Sequence, residues 1–385
     1  MIELSSSLEL KQPSLTRNPY PAARLKAGIL CVGFIVCYAF SLLQLSGNQA
    51  AFSSLPLPGL FLGYVFAHVV LHIPFDLWAG IYLPRKHCSQ AHRVTLFPNQ
   101  WLRSVVISSL IFLGSLCLIH YGLVHLGALA TLILVATFQG LLIHQQRFLA
   151  ELGTKTSFIR DHEESASSHP VLHADRTSDG FSGGVFGLPG REEIVIPKQW
   201  KTRLREDQYE VALRRRIEAI SSGLRTKGLL IALAWNVSGM GLGIWALGPD
   251  PWTGAKTLAL SGLSTLWTFV GILILPTFSR WACLTLDAEL HKLGYRPETI
   301  DSFFKSIEPS LDGEESRSPM VESIFHTIPS TSIRKSHAIH PSHLRGAWNV
   351  NRMMLYLSVA SGSLLFRSVH CNLGRPACWF ALPVD

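Results

Sequence analysis

Charge is scarce in this sequence. Asp, Glu, Lys and Arg supply 16% of its 385 residues and hydrophobic residues 48%, whereas soluble globular chains carry roughly 25% charged residues. That composition excludes a disordered protein, which has too little apolar surface to bury, and argues against a soluble enzyme. Cysteine motifs are missing too: the seven cysteines, at positions 31, 37, 88, 117, 283, 371 and 378, form neither a CxxC pair nor a disulfide framework. No P-loop, GxGxxG turn or GxSxG elbow occurs, which argues against nucleotide use and a nucleophile-elbow hydrolase. Repeats and coiled-coil heptads are absent as well.

Apolar residues are in surplus. A mean hydropathy of +0.27 exceeds what a soluble core consumes, so part of the chain should face lipid. Apolar runs at residues 27–46, 55–73, 104–119, 124–143, 229–247, 257–275 and, shortest, 353–366 predict a mainly α, multi-pass membrane protein of about seven spans. The net charge of +8 fits basic loops on one membrane face better than nucleic-acid binding. Arg85, Lys86, Arg93, Arg103, Arg147, Arg225, Lys227 and Arg280 fall on one side, whereas loops 47–54, 120–123 and 248–256 hold only Lys256. The N-terminus is therefore expected in the cytoplasm, the first span as a retained anchor, and the chain in a bacterial-type inner (plasma) membrane.

The expected organisation is a basic tail (1–26), four spans (27–144), a cytoplasmic segment (145–228), a membrane hairpin (229–276), a second cytoplasmic segment (277–351), and a last span with its tail (352–385). Residues 161–182 read as a polar linker and 308–319 as a loop. Residues 183–197, GGVFGLPGREEIVIP, read as a short hairpin ending in the strand Ile194, Val195, Ile196. Residues 198–229 read as helix, and so do 280–293, stopped by Gly294.

Several polar groups stand out. His68, His72 and Asp76 recur every four residues along the second span. They either form a proton or metal path, as in a small transporter, or satisfy carbonyls freed by Pro74 or pair with another span. His337, His340 and His343, interrupted by Pro341, read as a solvated basic loop. Arg214, Arg215 and Arg216 either meet anionic lipid or an acidic partner, or lie on a solvated face with Glu206, Glu210 and Glu218. Cys371 and Cys378 fall on the expected outer side, where a disulfide is permitted.

The order of parts, a GLPG hairpin, a helix, a membrane hairpin, a second helix with Asp287 and Gly294, then Thr327 and Pro329, resembles the HtpX-like and CAAX prenyl endopeptidase family of membrane zinc metallopeptidases over about residues 145–345. The resemblance implies a small cytoplasmic α+β domain in which the hairpin, here Gly187 with Ile194, Val195 and Ile196, offers an edge strand to peptide. It also implies an HExxH helix whose two histidines bind zinc while its glutamate activates water, and a second helix that adds a glutamate ligand. This chain has no HExxH. The register places Arg215 and Arg216 at its first His and Glu, Ala219 at its second His, and Cys283 at the ligand glutamate; Ser279, Arg280, Asp287 and Gly294 match, and Ile328 replaces a histidine.

Each guanidinium at about 4 Å from Zn²⁺ would cost roughly 8 kcal/mol at an effective dielectric of about 20. The expectation is a metal-free pseudopeptidase without catalytic residues or cofactor that binds peptide or membrane-protein segments in contact with membrane lipid. The alternative is an active zinc enzyme with unorthodox ligands.

Overall fold

The computed structural model describes residues 19–45, 56–87, 92–161, 169–175, 181–249, 251–307, 316–339 and 346–382. The tail before residue 19, the loop at 308–315, and His340 and His343 lie outside the described residues.

In lipid, a long apolar run satisfies its backbone by forming a helix. α1 (Pro19–Leu45) and α2 (Leu57–Leu77) do so, and a π-helical turn (Trp78–Tyr82) carries α2 into α3 (Leu83–His87). α4 (His92–His125) follows, and then α5 (Ala128–His144) bends by 62° into α6 (Gln146–Thr154). α9 (Leu224–Leu247) and α10 (Gly254–Lys292) complete the long helices. Among the described residues, five helices are long and apolar enough to cross a membrane, and the bent pair makes a sixth. The chain is thus a mostly helical integral membrane protein with a small sheet domain at one end.

That domain begins with β1 (Phe158–Arg160), β2 (Val171–Ala174), β3 (Gly184–Phe186) and β4 (Glu193–Pro197), in the order β1-β2-β4-β3. β2 and β4 run parallel, and the outer pairs are antiparallel. β4 alternates as a strand must: Ile194 and Ile196 pack with Trp200, Val211, Leu290 and Phe303, while Val195 turns to the opposite core with Phe158 and Phe186. α7 (Trp200–Arg203) and α8 (Glu206–Ser221) follow, and Gly223, at φ +72°, makes the left-handed turn into α9. At about 1.5 Å per residue, the 39 residues of α10 reach roughly 58 Å. That is about twice the hydrocarbon thickness, so its last turns stand in the sheet domain. There it meets α12 (Pro319–Phe325) and α13 (Thr331–Ile339), while α11 (Pro297–Ile307) packs against α8 and α13.

The expected last span takes a different form. α14 (Val350–Ser358) has nine residues, about 14 Å, and then breaks into 3-10 turns at Val359–Ser361 and Leu365–Arg367 before α15 (Ala377–Phe380). The segment enters beside α9, where Trp348 N donates to Leu224 O at 3.1 Å. It turns at Gly362 (φ +76°) and returns to α6, where Gln146 Nε2 donates to Phe380 O at 2.8 Å. It is therefore re-entrant and nearly all buried inside the helix cage. Cys371 and Cys378 consequently lie at the sheet-bearing end and not across the membrane, and they form no disulfide. Irregular backbone at this depth survives because protein groups satisfy it: Ser261 Oγ donates to Gly362 O, Asn236 Nδ2 to Met354 O at 3.0 Å, and Tyr356 Oη to Leu142 O at 2.8 Å.

Candidate functional site

The helices that would carry a zinc centre under the sequence resemblance do meet, but they bring a different chemistry. α8 carries Arg215 and Arg216, α10 carries Cys283 and Asp287, and α13 carries Arg334. Asp287 accepts from both sides: Arg215 Nη1 binds Oδ1, and Arg334 Nη1 binds Oδ2 at 2.8 Å. The Arg334 guanidinium lies 3.6 Å from the Phe304 ring centre and that of Arg215 4.9 Å, so one aromatic ring is shared by two cations. All three charged groups are buried. Arg334 Nε also donates to Pro329 O at 3.2 Å, which ties the Thr327 to Pro329 loop to the same centre.

Arg216 is turned away from Asp287. It donates to Ala212 O and Ser182 O and lies 5.7 Å from the Trp200 ring. Ala219 is fully buried among Val185, Ala282, Leu286 and Trp348, where an imidazole would need space that the neighbours occupy. The donor set does not fit zinc, which takes three or four nitrogen, sulfur or oxygen ligands. Positions 215, 216 and 219 give two guanidiniums and a methyl, both Asp287 oxygens accept from arginines, and Cys283 is the one remaining soft donor of the motif positions. Among the described residues, no group of three His, Cys, Asp or Glu side chains converges. Neither surface reading of the arginine run describes Arg215 and Arg216, which are interior; Arg214 alone is partly exposed, paired with Glu218 at 2.8 Å.

The expected peptide edge is corrected by the strand order. β4 lies between β2 and β3, so Ile194, Val195 and Ile196 are buried, Ile194 and Val195 are paired on both sides, and Ile196 pairs with His173 of β2. The outer strand on that side is β3, and carbonyls flanking it are already bound: Arg216 donates to Ser182 O and Arg225 to Gly187 O. Gly187, at φ +90°, closes the turn so tightly that a Cβ would meet Arg191 O at 2.3 Å. Arginines from α8 and α9 thus bind carbonyls of the hairpin that the resemblance would leave open.

The second-span face also acquires a definite role. Asp76 accepts from Arg367 Nη2 at 3.2 Å, Trp101 Nε1 at 2.9 Å and Gly374 N at 3.3 Å. His72 Nε2 is 2.9 Å from Ser368 Oγ, and its Nδ1 is 3.0 Å from His68 O. His68 borders a void of about 20 Å³ with Ser108, Ser363 and Arg367, room for a single water. Two of the three residues, His72 and Asp76, therefore pair with the re-entrant segment, in line with the reading in which these groups pair with another part of the chain.

Sequence reasoning missed Phe304, Glu322 and Arg367. Phe304 had a readable signal, because Ile300, Phe303, Phe304 and Ile307 are the i, i+3, i+4, i+7 stripe of an amphipathic helix. Glu322 is a buried carboxylate that accepts from Ser330 N at 2.8 Å and Arg317 Nη1 at 3.3 Å. Its surroundings form only when the chain folds back, so nothing local marks it.

No family model and no curated protein matches the sequence. Among solved structures, the fold is similar to that of S. mikatae Ste24p, with a TM-score of 0.58 over 79% of this chain and 80% of that one, at 16% identity. At that identity the likeness establishes a shared membrane fold.

Proposed function

We propose that this chain is a non-catalytic membrane protein, a pseudopeptidase that holds peptide or membrane-protein segments without cutting them. One observation carries the reading. The Arg215, Asp287 and Arg334 cluster fills the place where the resembled family would hold zinc and water, and it directs positive charge there. The interior of the helix cage already accommodates irregular polypeptide, its own residues 350–382, which supports a holding role. Clients would meet the protein elsewhere than β4, since that strand is interior. The basic-residue asymmetry supports a cytoplasmic sheet-bearing end and N-terminus.

The test is metal content together with proteolysis. Purified chain should contain less than about 0.1 zinc per molecule, because a bound zinc needs three or four ligands, and should leave membrane and unfolded soluble substrates intact. Stoichiometric zinc that disappears in Cys283→Ala, with cleavage activity, would overturn the proposal in favour of an active enzyme with unorthodox ligands.

A further inference from the structure

A cavity of about 310 Å³ lies between α1, α10, the 324–331 loop and the returning part of the C-terminal segment. Its size is that of a small-ligand pocket, and its two ends differ in chemistry. One end follows α1 from Gly28 to Gly33, roughly 8 Å of helix, and is walled by Ile29, Val32, Phe269 and Leu273. Ile29 and Leu273 are exposed, at 44% and 41%, on apolar helices long enough to span a membrane, so this end opens toward lipid. At Gly33 a Cβ would meet nothing within 4 Å, so the groove floor is open there.

The other end is cationic. Its lining holds Arg24, Arg317, Arg334, Arg352 and Arg375 and, among the described residues, no Asp or Glu. Arg317 and Arg334 spend part of their charge on Glu322 and Asp287, which stand behind the wall. Arg24 donates to the carbonyls of Ala79, His370 and Leu373, which carry no charge. Arg352 Nε is buried with no hydrogen-bond partner among the described residues. Arg24, Arg317, Arg352 and Arg375 line the same cavity, together with His370. A guanidinium is the side chain suited to a phosphate, and basic pockets between spanning helices suit lipid headgroups.

We propose that this cavity binds an anionic phospholipid. Its phosphate is received by Arg352 and the arginines beside it, and one acyl chain lies along residues 28–33 between α1 and α10. The apolar end would go unused by inorganic phosphate and the arginine end by a zwitterionic or neutral lipid, so the pairing of the two selects a charged amphiphile. The proposal shares Arg334 with the charge centre at Asp287, but it rests on Arg352 and the groove along α1 and needs neither Cys283 nor the hairpin, so it does not depend on the pseudopeptidase reading.

The experiment reconstitutes the full chain in phosphatidylcholine nanodiscs doped with phosphatidic acid that bears a diazirine on its acyl chain. Phosphatidylcholine with the same labelled chain serves as the control, and labelled residues are mapped by mass spectrometry. Phosphatidic acid should label α1 near residues 28–33 and α10 near residues 269–273 more strongly than the control does. Arg352→Gln should lower that label about tenfold, the loss of one charged hydrogen bond. Gly33→Phe, which fills the groove and keeps every arginine, should lower it as well while leaving the melting temperature unchanged. Equal labelling by phosphatidylcholine, or labelling indifferent to both variants, overturns the proposal. Loss of the label in excess inorganic phosphate overturns it too, by reducing the site to a headgroup pocket.

Discussion

Arg367 and Asp76, 291 positions apart in the chain, form a buried ion pair at 3.2 Å that fastens the re-entrant C-terminal segment to α2. The carboxylate has two more donors, Trp101 and Gly374. The guanidinium lies 4.7 Å from the Trp379 ring centre, so it touches its own segment as well.

Breaking this pair from one side should be costly. Asp76→Leu leaves a guanidinium buried without its carboxylate, and the penalty for one partner lost from a buried pair is about 3–5 kcal/mol. The double variant Asp76→Leu with Arg367→Met should recover most of that. Limited proteolysis of residues 350–382 in detergent follows the segment directly: it should speed up in the single variant and return toward the parent rate in the double one. Equal rates in all three proteins would mean that the pair does not anchor the segment.

Asp287 supports two cations, and its loss should be felt at both. Asp287→Ala leaves Arg215 and Arg334 facing each other across Phe304, and the expected destabilisation is again about 3–5 kcal/mol. In Asp287→Asn an amide oxygen can still accept from one arginine, which makes the loss smaller. The order Ala worse than Asn, read as thermal midpoints, tests the charge-centre geometry. A stable Asp287→Ala protein would contradict it.

The sequence shows some of these features and hides others for identifiable reasons. The first six apolar runs are legible because lipid exposure demands continuous apolar helix. Gly294 is legible as a helix stop, and it sits at φ +92° two residues beyond α10. The run 353–366 misleads because a segment buried in protein has the same composition as one buried in lipid; Gly362 and Arg367 were the only local marks against a span. Ile194 to Ile196 are legible as strand but not as central strand. Their partner β2 is four residues, Val-Leu-His-Ala, inside the stretch that reads as a polar linker. Likewise the loss of the zinc ligands is plain at Arg215, Arg216 and Ala219, whereas the use made of Arg215 depends on Asp287, 72 positions away.

The sheet domain carries a pH signal at Tyr295. Its phenol donates to Glu210 Oε1 at 2.6 Å, and burial first, then that carboxylate, pushes its pKa up to about 12. The ordinary value is near 10, so the folded state holds the proton more tightly than the unfolded state. This contribution to stability is fully present below pH 10 and fades as pH rises toward 12. Absorbance at 295 nm should show a late phenolate step that is missing in Tyr295→Phe and moves to lower pH in Glu210→Gln. A step that stays in place when Glu210 is neutralised would remove the carboxylate from the explanation.

The strand order turns Val195 into a decisive position. If β4 were an open edge waiting for a peptide, Val195→Pro would remove one N–H from the guest side and leave the protein intact. In the structure Val195 sits opposite Leu172 on one side and Gly184 on the other, and its side chain is fully buried. Proline in an interior strand deletes a ladder hydrogen bond and has no free edge to turn toward. Val195→Pro should therefore behave as a folding lesion: less protein in the membrane and a lower thermal midpoint in detergent. Ile159→Pro on the outer strand β1, whose side chain is exposed, should be milder, because proline is tolerated on edge strands. Normal levels of Val195→Pro together with loss of client crosslinking would instead restore β4 as a peptide-binding edge.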